Sequence, residues 1–343
     1  MDLALAPEEE ELVTVLDAAL AKESSPDRVR AAEVLGFDGA VGGAQPDRRA
    51  LPGPRPGRLH GGAAGLVAET AGRHLASAPV VESLVTARLL RRCGGPEADA
   101  PAERCEEGRI ATLVLHPARG PSAELVPAGA LAHIVLTHDD DALTAAVADP
   151  PMAAAPNLGG MPLADRDLSG DAAEVRTLAR AAPARLAFET ARSEGQLLTA
   201  AQLVGLAARA LEIAVGYVRE RHVFGRPVGS FQSVAHTLAD HATAVDGARL
   251  LVREAAWAAD VDDPRARALA AMAFCYAAEL AVAVAGDALH FHGGYGFTTE
   301  DDIQLYYRRA RAYPLVWGSV QREFQRVADL LFGEAGKGRD GRS

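Results

Sequence analysis

Cysteine is scarce in this chain of 343 residues, where it occurs only as Cys93, Cys105 and Cys275. An odd count excludes a complete disulfide framework, and the spacing is not that of a zinc site. We therefore expect free thiols, as in a reducing compartment, and no bound metal.

Positive charge is also in deficit, because 35 Lys and Arg residues stand against 46 Asp and Glu residues, which leaves a net charge of −11. This balance argues against nucleic-acid binding. Uninterrupted apolar runs fall short of the roughly 18 residues of a membrane span. Four glutamates at positions 8–11 do not fit a signal peptide. We therefore expect a cytoplasmic protein that binds neither nucleic acid nor membrane.

Hydrophobic residues are plentiful at 49%, and many of them are alanine, which favours helix over strand. Apolar residues recur at helical spacing over Leu12–Leu20, Val67–Leu75 and Val81–Leu90, which predicts a set of N-terminal helices. Gly42–Gly57 is rich in Gly, Pro and Arg, and it is predicted to be a loop.

The pattern changes at about Arg109. Ile110–Leu115 and Leu131–Thr137 are short apolar runs typical of buried strands. A proline-rich connector over residues 150–156 then leads to the C-terminal half. The middle of the chain is therefore predicted to be a small β segment.

The C-terminal half has the clearest helical patterns. A long apolar stripe reaches Val218, and we expect Gly225 and Pro227 to end that helix. Further helices are predicted from Ser230, as the capping residue, to Ala259, from Asp263 to Phe291, from Thr299 to Tyr313, and from Val320 to Phe332. Long antiparallel helices joined by short turns predict a helical bundle.

Arg221 stands at the turn between the first two of these helices. A cation is favoured near a helix C-terminus, and a guanidinium can hold a diphosphate through two hydrogen bonds. The alternative interpretation is a solvated side chain that only offsets the helix dipole.

Two residue strings resemble those of the acyl-CoA dehydrogenase family. The first is Arg221-x-x-Phe224-Gly225-x-Pro227-x-x-x-Phe231-Gln232, which is similar to the family's R-x-x-F-G-x-P-x-x-x-F-Q signature. The second is His292-Gly293-Gly294-Tyr295-Gly296-Phe297, followed by Leu305–Arg311, which resemble the H-G-G-x-G-F/Y segment and the L-Y-R-D-A-R helix. The resemblance covers about residues 190–331.

The resemblance implies a mainly α fold with a small β segment. It divides the chain into an N-terminal helical domain (1–105), a reduced middle β-domain with a connector (106–183), a C-terminal four-helix bundle domain (184–335) and a disordered tail (336–343). It also implies FAD as cofactor and an acyl-CoA thioester as substrate, which the family oxidises across its α and β carbons.

The resemblance further implies a set of cofactor-binding residues. In the family, the residues that match Arg221 and Gln232 reach the FAD of a neighbouring subunit. Gly293 and Gly294 match positions where the backbone approaches the adenosine diphosphate. Phe224 is expected beside the cofactor or, alternatively, in the core.

One position departs from the family's cofactor-binding pattern, because His290 replaces a frequent glutamine. His290 and His292 point about 200° apart on a helix, so we expect a hydrogen-bonding or packing role for His290 and no shared metal.

The catalytic base departs from the family pattern. Trp317 stands where most members carry a glutamate, and Trp has no proton acceptor. A minority of members place the base on the preceding long helix, where the count reaches Gly195, one residue past Glu194. Glu194 is the remaining candidate, although a shift of one residue turns a helical side chain by about 100°. Glu300 is predicted to be a carboxylate at the start of a helix, and Glu323 is predicted to lie on a solvated face.

The middle segment also departs from the family pattern. Leu115-His116-Pro117 replaces a T-E-P-type strand, and the flavin-contacting loop is replaced by Ala118–Ala130. These departures resemble the shortened, base-lacking subunit of actinobacterial-type α2β2 acyl-CoA dehydrogenases, of the kind used in lipid or steroid side-chain catabolism. We therefore expect an enzyme that is active only with a catalytic partner subunit. The alternatives are a self-sufficient homo-oligomer that uses Glu194, a non-catalytic scaffold, and a dehydrogenase of carrier-protein thioesters.

Overall fold

A computed structural model of the protein describes residues 7–23, 60–116, 122–139, 141–151, 153–168 and 174–337. Among these residues, the chain forms two compact units. One unit contains residues 7–23 and 76–195, and the other contains residues 61–75 and 196–337.

Helices make up most of the described chain. They are α1 (Pro7–Glu23), α2 (Gly61–Arg73), α3 (Val80–Cys93), α4 (Pro96–Glu106), α5 (Ala181–Glu220), α6 (Gln232–Asp260), α7 (Ala266–Phe291), α8 (Ile303–Ala312) and α9 (Val320–Lys337). Short 3-10 turns cover Val228–Ser230, Gly293–Phe297 and Tyr313–Trp317. The prediction of a mainly α fold is confirmed.

The strands are short and lie mostly in the middle of the chain. They are β1 (Ala111–Leu113), β2 (Ser122–Val126), β3 (Ile134–His138), β4 (Ala142–Val147), β5 (Ala164–Asp167), β6 (Glu174–Arg180), β7 (His222–Val223) and β8 (Arg226–Pro227). The first six belong to the unit that contains residues 76–195.

A four-stranded sheet in the order β1–β3–β4–β6 and a two-stranded β2–β5 pair form the β part of that unit. β1 and β3 are parallel, with Ala111 opposite Ile134, whereas β3–β4 and β4–β6 are antiparallel. Val126, Val135 and Ala146 lie in the core that this β part buries.

The sequence patterns indicated β1 and β3 but missed β2, β4, β5 and β6. In β5 one of the two inward side chains is Arg166, which is only 4% exposed. Its guanidinium donates to the carbonyls of Gly129, Ala132, Ala148 and Asp149. These bonds compensate the buried cation, so the strand carries no apolar alternation that a sequence pattern could detect. The segment expected to be a short replacement loop, Ala118–Ala130, contains β2.

The helical unit is built around α7, which packs against α6, α8 and α9, while α2 packs against α6. Backbones of α2 and α5 touch where they cross. A Cβ atom at Gly72 would lie 1.8 Å from the carbonyl oxygen of Gln202, and one at Gly205 would lie 1.8 Å from that of Glu69. Only glycine allows this approach, which fixes how the two helices pack.

Several predicted helix ends are wrong. α5 ends at Glu220, before Gly225 and Pro227, because a β7–β8 hairpin follows it directly. Ser230 does not cap α6, since its hydroxyl donates to the carbonyl of Pro227 over 2.7 Å and the helix begins at Gln232. α4 was missed because a proline, Pro101, lies inside it.

Other boundaries differ less. The expected start of the fourth helix at Thr299 moves to Ile303. α9 continues to Lys337, two residues into the predicted tail, and residues 338–343 lie outside the described residues, as does the predicted loop Gly42–Gly57. The predicted boundary at 183–184 falls inside α5, and the division into domains stays a prediction.

Two helices, α5 and α7, are long and apolar enough to meet the criterion for a membrane span, with mean hydropathies of 1.5 and 1.9. The sequence analysis missed this because it counted only uninterrupted apolar runs. In each helix, 72% of the apolar window is buried within the protein, as expected for core helices.

Candidate functional site

A groove of about 720 Å³ opens where the C-terminal end of α5 lies beside the C-terminal end of α7. Residues from both helix ends, from the β7–β8 hairpin and from the following turns line it: Tyr217, Glu220, Arg221, Val223, Val228, Phe291, His292, Gly293, Gly294 and Tyr295. All of them belong to the helical unit.

Arg221 lies at the rim of this groove, one residue beyond the end of α5. Its N–H donates to the carbonyl of Tyr217 over 2.8 Å, and its own carbonyl accepts the N–H of Val228 over 2.8 Å. The backbone is therefore fixed on both sides. The side chain is exposed, and it forms no ion pair with any residue that the structure describes. The groove thus carries a positioned cation that is available to an anionic ligand.

The floor of the groove is an aromatic pair. The rings of Tyr217 and His292 stack with centroids 4.0 Å apart and planes 21° apart. The Tyr217 hydroxyl donates to the His292 carbonyl over 3.4 Å, and His292 Nδ1 donates to the carbonyl of Ala288 over 2.7 Å. His292 is only 5% exposed, so its ring has a fixed orientation.

Gly293 and Gly294 contribute backbone to the lining of the groove. Gly293 has a φ of +62° and ends α7, as its left-handed conformation allows. A Cβ atom built at Gly293 or Gly294 would have no neighbouring atom within 4 Å. The space beside this backbone is therefore open, and a ligand can approach the main chain closely.

Phe224 occupies the tip of the hairpin. Its side chain is 96% exposed, and its φ is +51°. The alternative that placed this residue in the core is therefore wrong. Tyr295 and Phe297, at 49% and 73% exposed, add two more uncovered aromatic rings from the turn that follows α7.

The structure brings together only some of the predicted site residues. Arg221, Gly293 and Gly294 line the same groove. Gln232 and His290 are exposed and are absent from its lining. Sequence analysis did not identify the Tyr217–His292 pair as a site, although His292 begins the second motif and Tyr217 lies four residues before the first.

Comparisons with known proteins agree with this architecture. The family model for the acyl-CoA dehydrogenase C-terminal domain matches residues 186–331. The acyl-CoA dehydrogenase IpdE2 of Mycolicibacterium smegmatis is 32% identical over 344 aligned residues, which cover 95% of this chain and 99% of IpdE2. The chain belongs to the acyl-CoA dehydrogenase family. Members of this family are oxidoreductases that act on the CH–CH bond of acyl-CoA thioesters.

Two solved structures share the fold of this family member. A chain of the ChsE4-ChsE5 complex from Mycobacterium tuberculosis has a TM-score of 0.80 at 24% identity. A chain of the Tcur3481-Tcur3483 steroid ACAD gives the same TM-score and identity. In each comparison, 96% of this chain and 99% of the other chain are covered.

Trp317, which the resemblance matched to the family's usual catalytic glutamate, has no proton-accepting side chain. Trp317 is half-buried, its Nε1–H donates to Thr199 Oγ1 over 2.9 Å, and its ring meets Phe274 edge-on at 6.5 Å. The prediction for one carboxylate, that of Glu323, is wrong. Glu323, expected on a solvated face, is 3% exposed and accepts a hydrogen bond from Gln196 Nε2 over 2.7 Å.

The alternative base, Glu194, forms ion pairs within the unit that contains residues 76–195. Its two carboxylate oxygens face Arg88 Nε and Arg92 Nη2, the latter at 2.6 Å. The Glu194 side chain is only 10% exposed. Both oxygens of this carboxylate are therefore engaged by guanidiniums.

FAD is the cofactor of the family in general, and the groove offers groups that suit part of it. The exposed guanidinium of Arg221 matches a diphosphate. The open space beside Gly293 and Gly294 lets such an anion reach the backbone. The groove residues therefore fit the dinucleotide, with Arg221 and the two glycines as the groups that would hold it.

Proposed function

We propose that this chain is the non-catalytic subunit of a hetero-oligomeric acyl-CoA dehydrogenase that introduces an α,β double bond into an acyl-CoA thioester. In this proposal, its groove completes an FAD site that lies mostly in a partner subunit, and the partner supplies the base. The observation that carries the proposal is that Arg221 has an exposed guanidinium, whereas Trp317 occupies the position at which the family usually carries its base.

The two candidate base positions, Trp317 and Glu194, support a division of labour between subunits. Trp317 offers only an indole donor, and that donor is already bonded to Thr199. Glu194 is paired with two arginines. A self-sufficient homo-oligomer using Glu194 is disfavoured, since the carboxylate would have to leave both partners to accept a proton.

Exposed aromatic rings beside the groove support a partner surface. Phe224 is held at a hairpin tip with a positive φ and almost no contact with its own chain. Phe297 is also largely uncovered. Aromatic side chains of this kind are enriched in protein–protein interfaces, because burial of the ring against a partner is favourable.

The relatives provide further support. IpdE2, which aligns over nearly its whole length, is named an acyl-CoA dehydrogenase. The ChsE4-ChsE5 structure is a complex of two different chains, and the Tcur3481-Tcur3483 structure is named a steroid ACAD. We propose by extension a lipid or steroid-derived acyl group for the complex that contains this chain.

The residues of this chain have binding roles in the mechanism. Arg221 holds the diphosphate with charge-assisted hydrogen bonds, and its backbone is fixed by bonds to Tyr217 of α5 and to Val228. Gly293 and Gly294 allow the diphosphate to approach the main chain. A flavin held there would supply the hydride acceptor for the β-hydrogen, and a carboxylate of the partner would take the α-proton. Rigid placement of the dinucleotide aligns these two transfers.

Co-expression tests this proposal. The chain is produced alone and together with a longer, glutamate-bearing acyl-CoA dehydrogenase subunit encoded beside it. We expect the complex to be yellow, with the visible absorbance bands of flavin, and to oxidise acyl-CoA with an artificial electron acceptor. The chain alone is expected to do neither.

A matched pair of arginine variants sharpens the test. Arg221→Ala is expected to lower the flavin content of the complex at least tenfold, because it removes a bidentate charged contact of about 1.5–3 kcal/mol. Arg226→Ala removes a cation from the same hairpin, one whose guanidinium lies 4.0 Å above the Phe231 ring, and it should leave the flavin content unchanged. Equal flavin contents in both variants, or full activity of the chain alone, would refute the proposal.

A further inference from the structure

Helix α9 leaves one flank of its surface open. The helix packs against α7, and its inner side carries Glu323, which is 3% exposed and bonded to Gln196 of α5. Phe324 lies about 100° further round the helix and is 44% exposed. Leu331, on the same flank two turns later, is 47% exposed, and Phe332 beside it is 66% exposed. Within the part of the chain that the structure describes, these large apolar side chains are therefore only partly covered.

The open flank has the spacing of a surface that pairs with a second helix. Four exposed residues follow one another at intervals of three, four and three, and we call them the α9 seam: Gln321, Phe324, Ala328 and Leu331. This spacing keeps side chains on one line where two helices run side by side. No seam residue is charged, although charged residues make up 24% of the chain. The seam therefore has the periodicity and the composition of a contact between helices.

The order of side-chain sizes indicates what covers the α9 seam. Large side chains, Phe324 and Leu331, alternate with a polar or small one, Gln321 and Ala328. In an antiparallel pair of such helices, Phe324 of one copy lies opposite Ala328 of the other, so each layer combines one large and one small side chain. A parallel pair would place Phe324 against itself and leave a gap at Ala328. The seam is thus complementary to itself in the antiparallel orientation, as a two-fold interface between identical chains requires.

The distribution of charge agrees with pairing of identical chains. A charge near a two-fold axis lies close to its own copy and is repelled by it. The exposed charged residues Arg322 and Asp329 each stand two residues from a large seam residue, which turns them about 160° away from it. Antiparallel helices also bring opposite ends of their dipoles together. The seam therefore fits a second copy of the same helix.

We propose that α9 pairs in antiparallel orientation with α9 of a second copy of this chain, through the seam of Gln321, Phe324, Ala328 and Leu331. The pairing joins two copies of the chain. It involves neither the groove nor a flavin, so it goes beyond the proposed function and does not depend on it.

Cross-linking of an introduced cysteine tests the pairing in the full-length chain. Ala328→Cys places a small thiol in the seam near the two-fold axis, whereas Arg322→Cys places an exposed thiol on another side of α9. With a short bismaleimide, we expect Ala328→Cys to give at least about fivefold more product of twice the chain mass than Arg322→Cys, because pairing raises the effective concentration of the second thiol. Wild type is the blank, since its own thiols, Cys93, Cys105 and Cys275, are half-buried or buried. Equal yields from the two variants would overturn the proposal.

Packing variants test the orientation. Phe324→Ala removes the large side chain from its layer, and Ala328→Phe sets two rings against each other. Each should lower the self-association constant of the chain about tenfold, measured by sedimentation over a concentration series. The double variant exchanges large and small, so it should return to within about threefold of wild type. In a parallel pair, Ala328→Phe would instead fill the gap and strengthen association, which would contradict the proposed orientation.

Other occupants of the seam give different results. If the catalytic partner subunit covers it, Phe324→Ala weakens binding of that subunit, and Ala328→Cys gives no product of twice the chain mass. This result, or a wild-type chain that stays monomeric throughout the series, overturns the pairing. Circular dichroism of each variant checks the fold, which exposed positions should leave intact. Failure of the complex to bind FAD would contradict the proposed function and leave the pairing untouched.

Discussion

The indole Nε1–H of Trp317 donates to the Thr199 hydroxyl over 2.9 Å, which joins the turn before α9 to the middle of α5. Thr199 is only 4% exposed, and the Trp317 ring lies edge-on to Phe274. The Trp317 side chain is therefore a structural contact. The Trp317 indole provides no proton acceptor, and its contacts stabilise the helical unit.

Substitution of Trp317 with Phe should lower the stability of the chain. The ring contact with Phe274 is largely kept, but the Thr199 hydroxyl loses its partner in a buried place. We expect the free energy of unfolding to fall by about 1–2 kcal/mol. Urea unfolding followed by circular dichroism measures the change. Trp257→Phe, at a side chain that is 43% exposed, is the control and should change stability by less than about 0.5 kcal/mol.

Glu194→Gln should destabilise the chain without removing activity from the complex. The substitution leaves Arg88 and Arg92 without their shared anion in a place where the Arg88 side chain is only 14% exposed. We expect a loss of about 2–4 kcal/mol in urea unfolding. The exposed pair of Arg180 and Asp141 is the reference, and Asp141→Asn should cost less than about 0.5 kcal/mol.

The activity measurement on the Glu194 variant decides its role. If the partner supplies the base, the turnover of the complex stays within about twofold of wild type, since no transition-state contact is removed. A decrease of about a hundredfold or more, the usual contribution of a general base, would show that Glu194 takes the α-proton.

Some features of the fold and site could be predicted from the sequence because their signals are local. The helical spacing up to Val218 identified α5, although not the residue at which it ends, and the Gly293-Gly294 pair identified the end of α7. The hairpin after Glu220 could not be predicted, because a two-residue loop with Phe224 in a left-handed conformation breaks the usual residue preference. β5 and Glu323 were missed because polar side chains buried by hydrogen bonds have no apolar pattern.

Phe224→Asn should stabilise the isolated chain and weaken the complex. Phe224 and Gly225 are the two loop residues of the hairpin, and both have positive φ, a conformation that Asn-Gly favours. No packing is lost in the isolated chain, because Phe224 is 96% exposed. We expect a gain of about 0.5–1 kcal/mol in unfolding free energy.

The same variant, Phe224→Asn, is expected to bind the partner subunit more weakly. If the Phe224 ring is buried by the partner, its loss should raise the dissociation constant of the complex about tenfold or more, as for an aromatic interface residue. Light scattering or analytical ultracentrifugation measures this constant. Unchanged association would show that the hairpin tip faces solvent in the complex.

Two buried thiols should make the chain less stable at high pH. Burial, with added repulsion from Glu323 and Glu279, raises the pKa of Cys275 to about 12, and burial with Glu106 does the same for Cys105. A thiol with a raised pKa in the folded state contributes stability below its unfolded value of 9.0, and this contribution is lost as the pH rises towards 12. Between pH 9 and 10, each thiol should lower the unfolding free energy by about 1 kcal/mol.

Cys275→Ala tests this pH dependence. Unfolding by urea is measured at pH 8, 9 and 10 for both chains, and the contribution from the raised pKa of Tyr306 is common to both and cancels in the comparison. The stability of wild type should fall about 1 kcal/mol more than that of the variant over the last interval. Parallel pH profiles would contradict the assignment of Cys275 as a neutral buried thiol.

The substitution Gly294→Ala is expected to weaken FAD binding by the complex without changing the stability of the fold. The residue has no left-handed φ, and an added Cβ atom meets no atom within 4 Å, so the free energy of unfolding should change by less than about 0.5 kcal/mol. If a diphosphate approaches this backbone in the complex, the added methyl group should raise the FAD dissociation constant about tenfold or more through steric contact. Gly65→Ala, which also meets no atom within 4 Å but lies in α2, is the matched control. An equal effect of both substitutions on FAD binding would place the dinucleotide away from Gly294.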